Sequence, residues 1–440
     1  MLVKTYEPII LQEGFSTLVR IMILVTCIMT HHWQSEKWFV SPINFQEEIR
    51  KGFSPPERVI FHDVTLRDGE QQAGVIFSKY DKVVVGRALD RAGVDRIEVG
   101  TPGTSNDDRE AMRSLVAASL DAELYSWCRN NKLDIAAAKE CGSQGVTIEV
   151  PASKLMIEEA YSTSMEELLR TLPENAQYAK SEGMKVLLLL VDATRSDMET
   201  LSRIVRETER YADTIAVSDT FGVALPDAVS FLVRKLKGVT GKPLEIHCHN
   251  DFGLATANTL AAVAAGASGV HVTVNGMGER AGNTPLGEVA LGVKLLLGVE
   301  SNIRLGELYR LSNVVAQYSG FPVPPNKPVV GTNIFKVESA QAAQWLARGK
   351  EGILAYPFSK DLVGNPEFKV ILSKKSGPYN LRLKLQELGI DVPQERYPEI
   401  LGLVYERSVG KKGALTDEEF LEILQDLGLY QYKVEDLMRA

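Results

Sequence analysis

The chain has 440 residues, 45% of them apolar and 24% charged, which suits a large core in more than one folding unit and excludes a disordered chain. A net charge of -8 and a pI near 5.5 exclude the usual nucleic-acid surface, because phosphate binding needs a concentrated basic patch. The cysteines Cys27, Cys128, Cys141 and Cys248 form no CxxC pair, which excludes a zinc knuckle or disulfide frame and fits reduced thiols in the cytoplasm.

The first segment, 1–54, is expected to be an N-terminal extension. Within it "RIMILVTCIM", Arg20 to Met29, is about half the roughly 20 apolar residues that a membrane span needs. No small-residue cleavage site follows in "THHWQSEKW", so a secretory leader is disfavoured and no membrane role is expected. The run is expected to be buried or covered by a second copy of the chain; translation starting at Met22 or Met29 is the competing explanation. His31 and His32 are expected at a surface or interface.

From Arg58 to about Val299, within a segment set at 55–315, β-branched runs alternate with longer helical stretches. The predicted strands are "RVIFHDVTL", "DRIEVG", "AELYSW", "GVTIEV", "KVLLLLV", "TIAVSDT", "PLEIHCH" and "GVHVTVNG". Eight strand–helix units in about 240 residues predict an α/β fold, the TIM (β/α)8 barrel. A doubly wound sheet is the runner-up, and it lacks a Gly-rich phosphate fingerprint after the first strand. The Pro-rich "GFPVPPNKPVVG", Gly320 to Gly331, is a stiff connector into a mostly helical extension, 316–440. There "GALTDEEFLEILQDLG" predicts a helix capped by Thr416.

Two of the six histidines fall in "LEIHCHNDFG". Strand residues two apart share a face, so Glu245, His247 and His249 point the same way, with the histidines nearest the catalytic end of strand 7. Two imidazoles on one strand face make half of a metal site; the plain alternative is a pair satisfied by core hydrogen bonds. The first strand ends in "VTLRDGEQQAG", which sets Arg67 beside Asp68, with Gly69 permitting the bend. The eighth ends in "VNGMGERAGN", where Asn283 offers a carbonyl oxygen. Strands 1, 7 and 8 are neighbours in a closed barrel, so Asp68, His247, His249 and Asn283 can converge on one ion. By strand parity Cys248 faces away from it; Trp127 and Cys128, after strand 3, are core or rim, and His271, early in its strand, is structural.

"LRDGEQ", "HCHNDFGLATAN" and "NGMGERAGN", in that order, resemble the DRE-TIM metallolyase superfamily, which includes 2-isopropylmalate, homocitrate and citramalate synthases and, more distantly, HMG-CoA lyase. The resemblance covers roughly Arg58 to Val299. It implies a divalent ion (zinc, manganese or magnesium) held by Asp68, His247 and His249, with Asn283 close by or ligating. It also implies Arg67 as the electrophilic residue, with Glu98 in the catalytic set and Gln71 and Thr220 lining the substrate pocket. A 2-oxo acid and an acyl-CoA are the implied substrates, a homodimer the implied assembly, and amino-acid biosynthesis the implied role.

The chain departs from that pattern in three stretches. "FKVESAQA" has Val337 and Ala342, and "SKKSG" has Lys375, where synthases of this group carry histidines. The fifth strand has Leu187, Leu189 and Val191 where the family often presents Arg, Ser and Glu to the oxo-acid tail. The expected function is a Claisen-type condensation of an acyl-CoA with a 2-oxo acid. The alternatives are a metal-dependent lyase or aldolase, which the missing histidines favour, and a non-catalytic derivative of the fold. The apolar fifth strand predicts a small or apolar substrate tail, although Glu149 on strand 4 or a loop lysine can rebuild a polar pocket.

Overall fold

The structure, a computed structural model, describes residues 32–349, 353–366 and 368–431; the run at Arg20–Met29, both alternative start methionines and His31 lie outside the described residues. Eight strands close into a parallel barrel in chain order: β1 Ile60–Asp63, β2 Arg96–Gly100, β3 Glu123–Cys128, β4 Gly145–Pro151, β5 Lys185–Val191, β6 Thr214–Asp219, β7 Leu244–Cys248 and β8 Gly269–Val272. β1 pairs with β8 to complete the ring, His62 opposite His271. This is the TIM barrel that the strand–helix alternation predicts.

Each strand is followed by a helix: α1 Lys79–Ala92, α2 Asn106–Ala117, α3 Lys132–Glu140, α4 Met165–Ser181, α5 Met198–Thr208, α6 Pro226–Lys237, α7 Ala255–Ala264 and α8 Leu286–Gly292. Ser78, Ser105, Asn131, Ser164 and Asp197 cap the first five, each side chain accepting from the amide three residues on. α1 stops at Gly93, whose φ of +83° a side chain would strain.

Strand alternation divides the buried residues. Val146, Ile148, Leu188, Leu190, Ile246 and Val270 face outward under the helices and belong to the main apolar core. Leu187, Leu189 and Val191 face inward and pack with Tyr125 and Ala216 as a separate inner cluster. The inner wall on the other side, from β7 through β8 and β1 to β2, is polar: Glu245, His247, His271, His62 and Glu98 are buried there.

After the barrel, α9 Leu308–Ser319 packs against α1. Two short parallel strands follow, β9 Lys336–Val337 and β10 Lys369–Val370, with α10 Ala340–Arg348 between them. α11 Pro378–Leu388, α12 Tyr397–Lys411 and α13 Asp417–Asp426 enclose a second apolar core that includes Leu381, Leu385, Ile400, Val404, Phe420 and Leu424. Thr416 caps α13 in a reciprocal pair with Glu419. The described part of the N-terminal segment lies against the chain itself. Arg50 donates to the Leu297 carbonyl at 3.0 Å and the His32 ring donates to the Lys294 carbonyl at 2.8 Å, so His32 is committed within its own chain. Among the described residues no helix is long and apolar enough to cross a membrane.

Candidate metal centre and active site

The carboxyl end of β7 and the loops after β1, β7 and β8 bring four of the sequence-predicted residues together. Asp68, His247 and His249 are buried, and their ligand atoms all lie within 4.8 Å of one another. His247 Nε2 is 3.6 Å from Asp68 Oδ2, and the two imidazole rings lie 5.1 Å apart. Asn283 Nδ2 donates to Asp68 Oδ1 at 2.8 Å and to the Met277 carbonyl at 3.1 Å, and its Oδ1 is buried without a partner. Glycine is needed to bring it so close. Gly278 has a φ of +147°, and a Cβ there would fall 2.1 Å from Asn283 Nδ2.

Burial, outweighing the Asp68 charge, depresses the His247 and His249 pKa values, so both rings are held in the neutral, ligating form. Burial would raise the Asp68 pKa, but Arg67, the two histidines and Asn283 together hold it below the usual carboxylate range. A divalent ion fits this set: two neutral imidazoles, an ionised carboxylate and an amide oxygen with no other bond to make. The Nδ1 atoms of both histidines are likewise buried and unpartnered.

Arg67 spans the next layer. Its Nε donates to Glu98 Oε1 at 2.5 Å and its Nη1 to Asp68 Oδ2 at 2.8 Å, while Nη2 is buried with no partner. Burial alone would lower its pKa; the Glu98 and Asp68 charges win and raise it. The guanidinium is thus fixed on two sides and keeps one donor for a third group. Its carbon also lies 5.8 Å from the Trp127 ring centre, which places that ring at the rim. Cys248 is in the outer apolar core, on the far side of β7 from the cluster.

Thr220 sits at the end of β6, its Oγ1 accepting from the Asp192 amide at 2.8 Å and its carbonyl accepting from Arg280 at 2.6 Å. Gln71 is exposed on the turn after Asp68, outside the cluster; its neighbour Gln72 instead accepts from the Gly278 amide at 3.4 Å. Val337, Ala342 and Lys375 lie in the C-terminal extension, where Lys375 pairs with Glu338 at 2.7 Å. Glu149, half-buried on β4 beside Leu189, joins the site through Tyr161 and the field of Arg67; burial raises its pKa against both. Strand parity pointed to Glu149, but nothing in the sequence marked Tyr161 as its partner.

A family model described as HMGL-like matches residues 58–315. Curated relatives include homocitrate synthase AksA of Methanothermobacter thermautotrophicus, 36% identical over 89% of this chain and 98% of the relative. Others are (R)-citramalate synthase CimA of Methanocaldococcus jannaschii, 39% identical over 83% of this chain and 74% of the relative, and 2-isopropylmalate synthase of the same organism, 38% identical over 84% and 72%. Among solved structures, an HMG-CoA lyase from Bacillus subtilis has a TM-score of 0.56 at 19% identity, covering 61% of this chain and 96% of that one; it shares the fold. The family model spans the barrel and the curated relatives match most of the chain, so this chain belongs to the HMGL-like, DRE-TIM family.

Proposed function

We propose that the chain is a carbon–carbon bond-forming acyltransferase that joins an acyl-CoA, acetyl-CoA foremost, to a 2-oxo acid and, as water cleaves the thioester, releases a 2-alkylmalate-type product and free thiol. The observation that carries this reading is the buried Asp68–His247–His249 cluster with Arg67 fixed over it and one guanidinium donor left free. The names of the curated relatives, homocitrate, citramalate and 2-isopropylmalate synthase, support the same class.

Asp68, His247, His249 and the Asn283 oxygen would hold the ion. Once bound, a divalent ion supplies Lewis acidity to a chelated 2-oxo acid. Arg67 Nη2 is aimed at the charge that develops on oxygen as the new bond forms, and Glu98 keeps the guanidinium from swinging. Thr220 lines the approach. Glu149 and Tyr161 are the titratable pair of the pocket that neither the ion nor an ion-pair partner consumes.

Leu187, Leu189 and Val191 wall one side of the barrel interior. A second carboxylate buried against that wall would be desolvated without a partner, so the substrate is a monocarboxylic 2-oxo acid with a small or apolar tail, such as pyruvate or 2-oxoisovalerate. Discrimination against 2-oxoglutarate should reach about a hundredfold or more. The second reading, a metal-dependent lyase, is favoured by Val337 and Ala342, which put no imidazole in the C-terminal extension.

Ile76, Leu225 and Phe252, on loops after β1, β6 and β7, are exposed around the barrel mouth, which supports a homodimer that covers it. Light scattering at micromolar concentration tests that assembly, and a monodisperse monomer refutes it. The function is tested by thiol release from acetyl-CoA over a panel of 2-oxo acids with manganese, magnesium or zinc. Release with pyruvate or 2-oxoisovalerate, and little with 2-oxoglutarate, is expected. No release with any acid, together with metal-dependent cleavage of a 2-hydroxy or 3-hydroxy acyl compound, would turn the assignment to the lyase.

A further inference from the structure

Below the Asp68–His247–His249 cluster, the barrel carries a second set of donors that a condensation does not use. Pairing in register aligns His62 of β1, His271 of β8 and His247 of β7 in one row, and Glu245 lies two residues before His247 on the same inward face. His271 Nε2 meets Glu245 Oε2 at 3.1 Å, and the His62 ring stacks on His271 with centroids 4.6 Å apart. One ligand atom from each of His62, Glu245 and His271 lies within 4.8 Å of the other two. All three side chains are at most 1% exposed.

This is not the usual filling of such a barrel, whose interior layers are dominated by branched apolar side chains. The β5–β6 half keeps that rule with Leu187, Leu189 and Ala216; the β7–β8–β1 half breaks it. The space for the exception is built. A Cβ at Gly269 would lie 2.6 Å from the Glu245 carboxyl carbon, so glycine in β8 is what lets that carboxylate turn toward His271. Both ring nitrogens of His62 and Nδ1 of His271 are buried with no partner. A buried imidazole with neither nitrogen engaged requires a group to engage it, because unpaired buried polar atoms are rare and costly. Burial, ahead of the neighbouring cations, depresses the His62 pKa and keeps that ring in the neutral form that ligates.

We propose that His62, His271 and Glu245 form a second, fully enclosed site for a divalent transition-metal ion of the zinc class, separate from the one at Asp68, His247 and His249. Two imidazole nitrogens and a carboxylate oxygen are the donors that such ions select. Arg96 holds the other Glu245 oxygen at 2.6 Å and so aims Oε2 at His271; as a cation it also opposes an ion there. The counterweight is Glu98, whose free Oε2 lies 3.8 Å from His62 Nε2 and adds a second carboxylate to the surroundings. The His271 ring meets the His247 ring edge-on, centroids 5.5 Å apart, so an ion on His271 would also steady the orientation of the upper ligand.

The test is metal content, which does not depend on the reaction assigned above. The full chain, stripped and then titrated with zinc or cobalt, is expected to hold two ions, and His62→Phe is expected to hold one fewer. His247→Ala should lose the upper ion and keep the lower, so the two losses add in the double variant. A wild-type stoichiometry that His62→Phe leaves unchanged overturns the site. If that variant does not fold, anomalous scattering at the zinc edge from crystals of the wild-type protein decides it. A peak among His62, His271 and Glu245 upholds the site, and density for water alone there removes it.

Discussion

Replacing Arg67 with lysine keeps the positive charge and should still lower kcat by about a hundred- to a thousandfold. The guanidinium uses Nε for Glu98 at 2.5 Å and Nη1 for Asp68 at 2.8 Å, and it has a third nitrogen in reserve. A lysine has one nitrogen, which cannot bridge both carboxylates and also face the substrate. If it settles between Glu98 and Asp68, the developing charge loses its donor. One preorganised donor of this kind is worth roughly 2.7–4 kcal/mol, or about two to three decades of rate. Substrate binding, which rests mainly on the ion, should change less, so the loss appears in kcat rather than in KM. Steady-state kinetics on a variant shown by metal analysis to retain its ion reads this directly. A kcat within about tenfold of wild type would refute the role given to the free nitrogen.

Three further outcomes are expected. Removing metal with a chelator, or making His247→Ala or His249→Ala, should abolish turnover while the circular dichroism of the barrel is unchanged; full activity in a verified metal-free preparation contradicts it. Gly278→Ala drives a Cβ to 2.1 Å from Asn283 Nδ2, so it should weaken manganese binding by about tenfold or more, close to one lost buried hydrogen bond, as read by calorimetry. Burial, against two bonds from Thr65, raises the Asp63 carboxyl pKa to about 7. A raised carboxyl binds its proton more tightly folded than unfolded, so its contribution to stability is present at low pH and is lost as pH rises from about 4 to 7. Asp63→Asn should therefore compare more favourably with wild type above that window than below it, measured by denaturant titration.

The barrel was legible because its strands carry two separate signals. Outward residues such as Leu188 and Ile246 keep β-branched or leucine character, and the strands recur with helices between them. The upper site was legible because residues two apart on β7 must share a face, and because β1, β7 and β8 are neighbours once the ring closes. The lower donors were not. His62 falls within an apolar run and His271 early in its strand, and only the inter-strand register places them side by side with Glu245 beneath. A strand read singly does not carry that register. Likewise, the division of Arg67 among Glu98, Asp68 and a free nitrogen depends on a side-chain conformation that spacing does not encode.

The most direct test of the central claim follows the carbon atoms. Acetyl-CoA labelled at the methyl carbon is mixed with a small 2-oxo acid labelled at its keto carbon, with metal-loaded protein and with metal-stripped protein, and the product is read by carbon magnetic resonance. The account predicts one-bond coupling between the two labels in a 2-hydroxy dicarboxylic acid, formed by the loaded protein alone and lost in His247→Ala. Coupling formed equally well without the ion, or labels that never join under any metal while the protein remains folded, would contradict it.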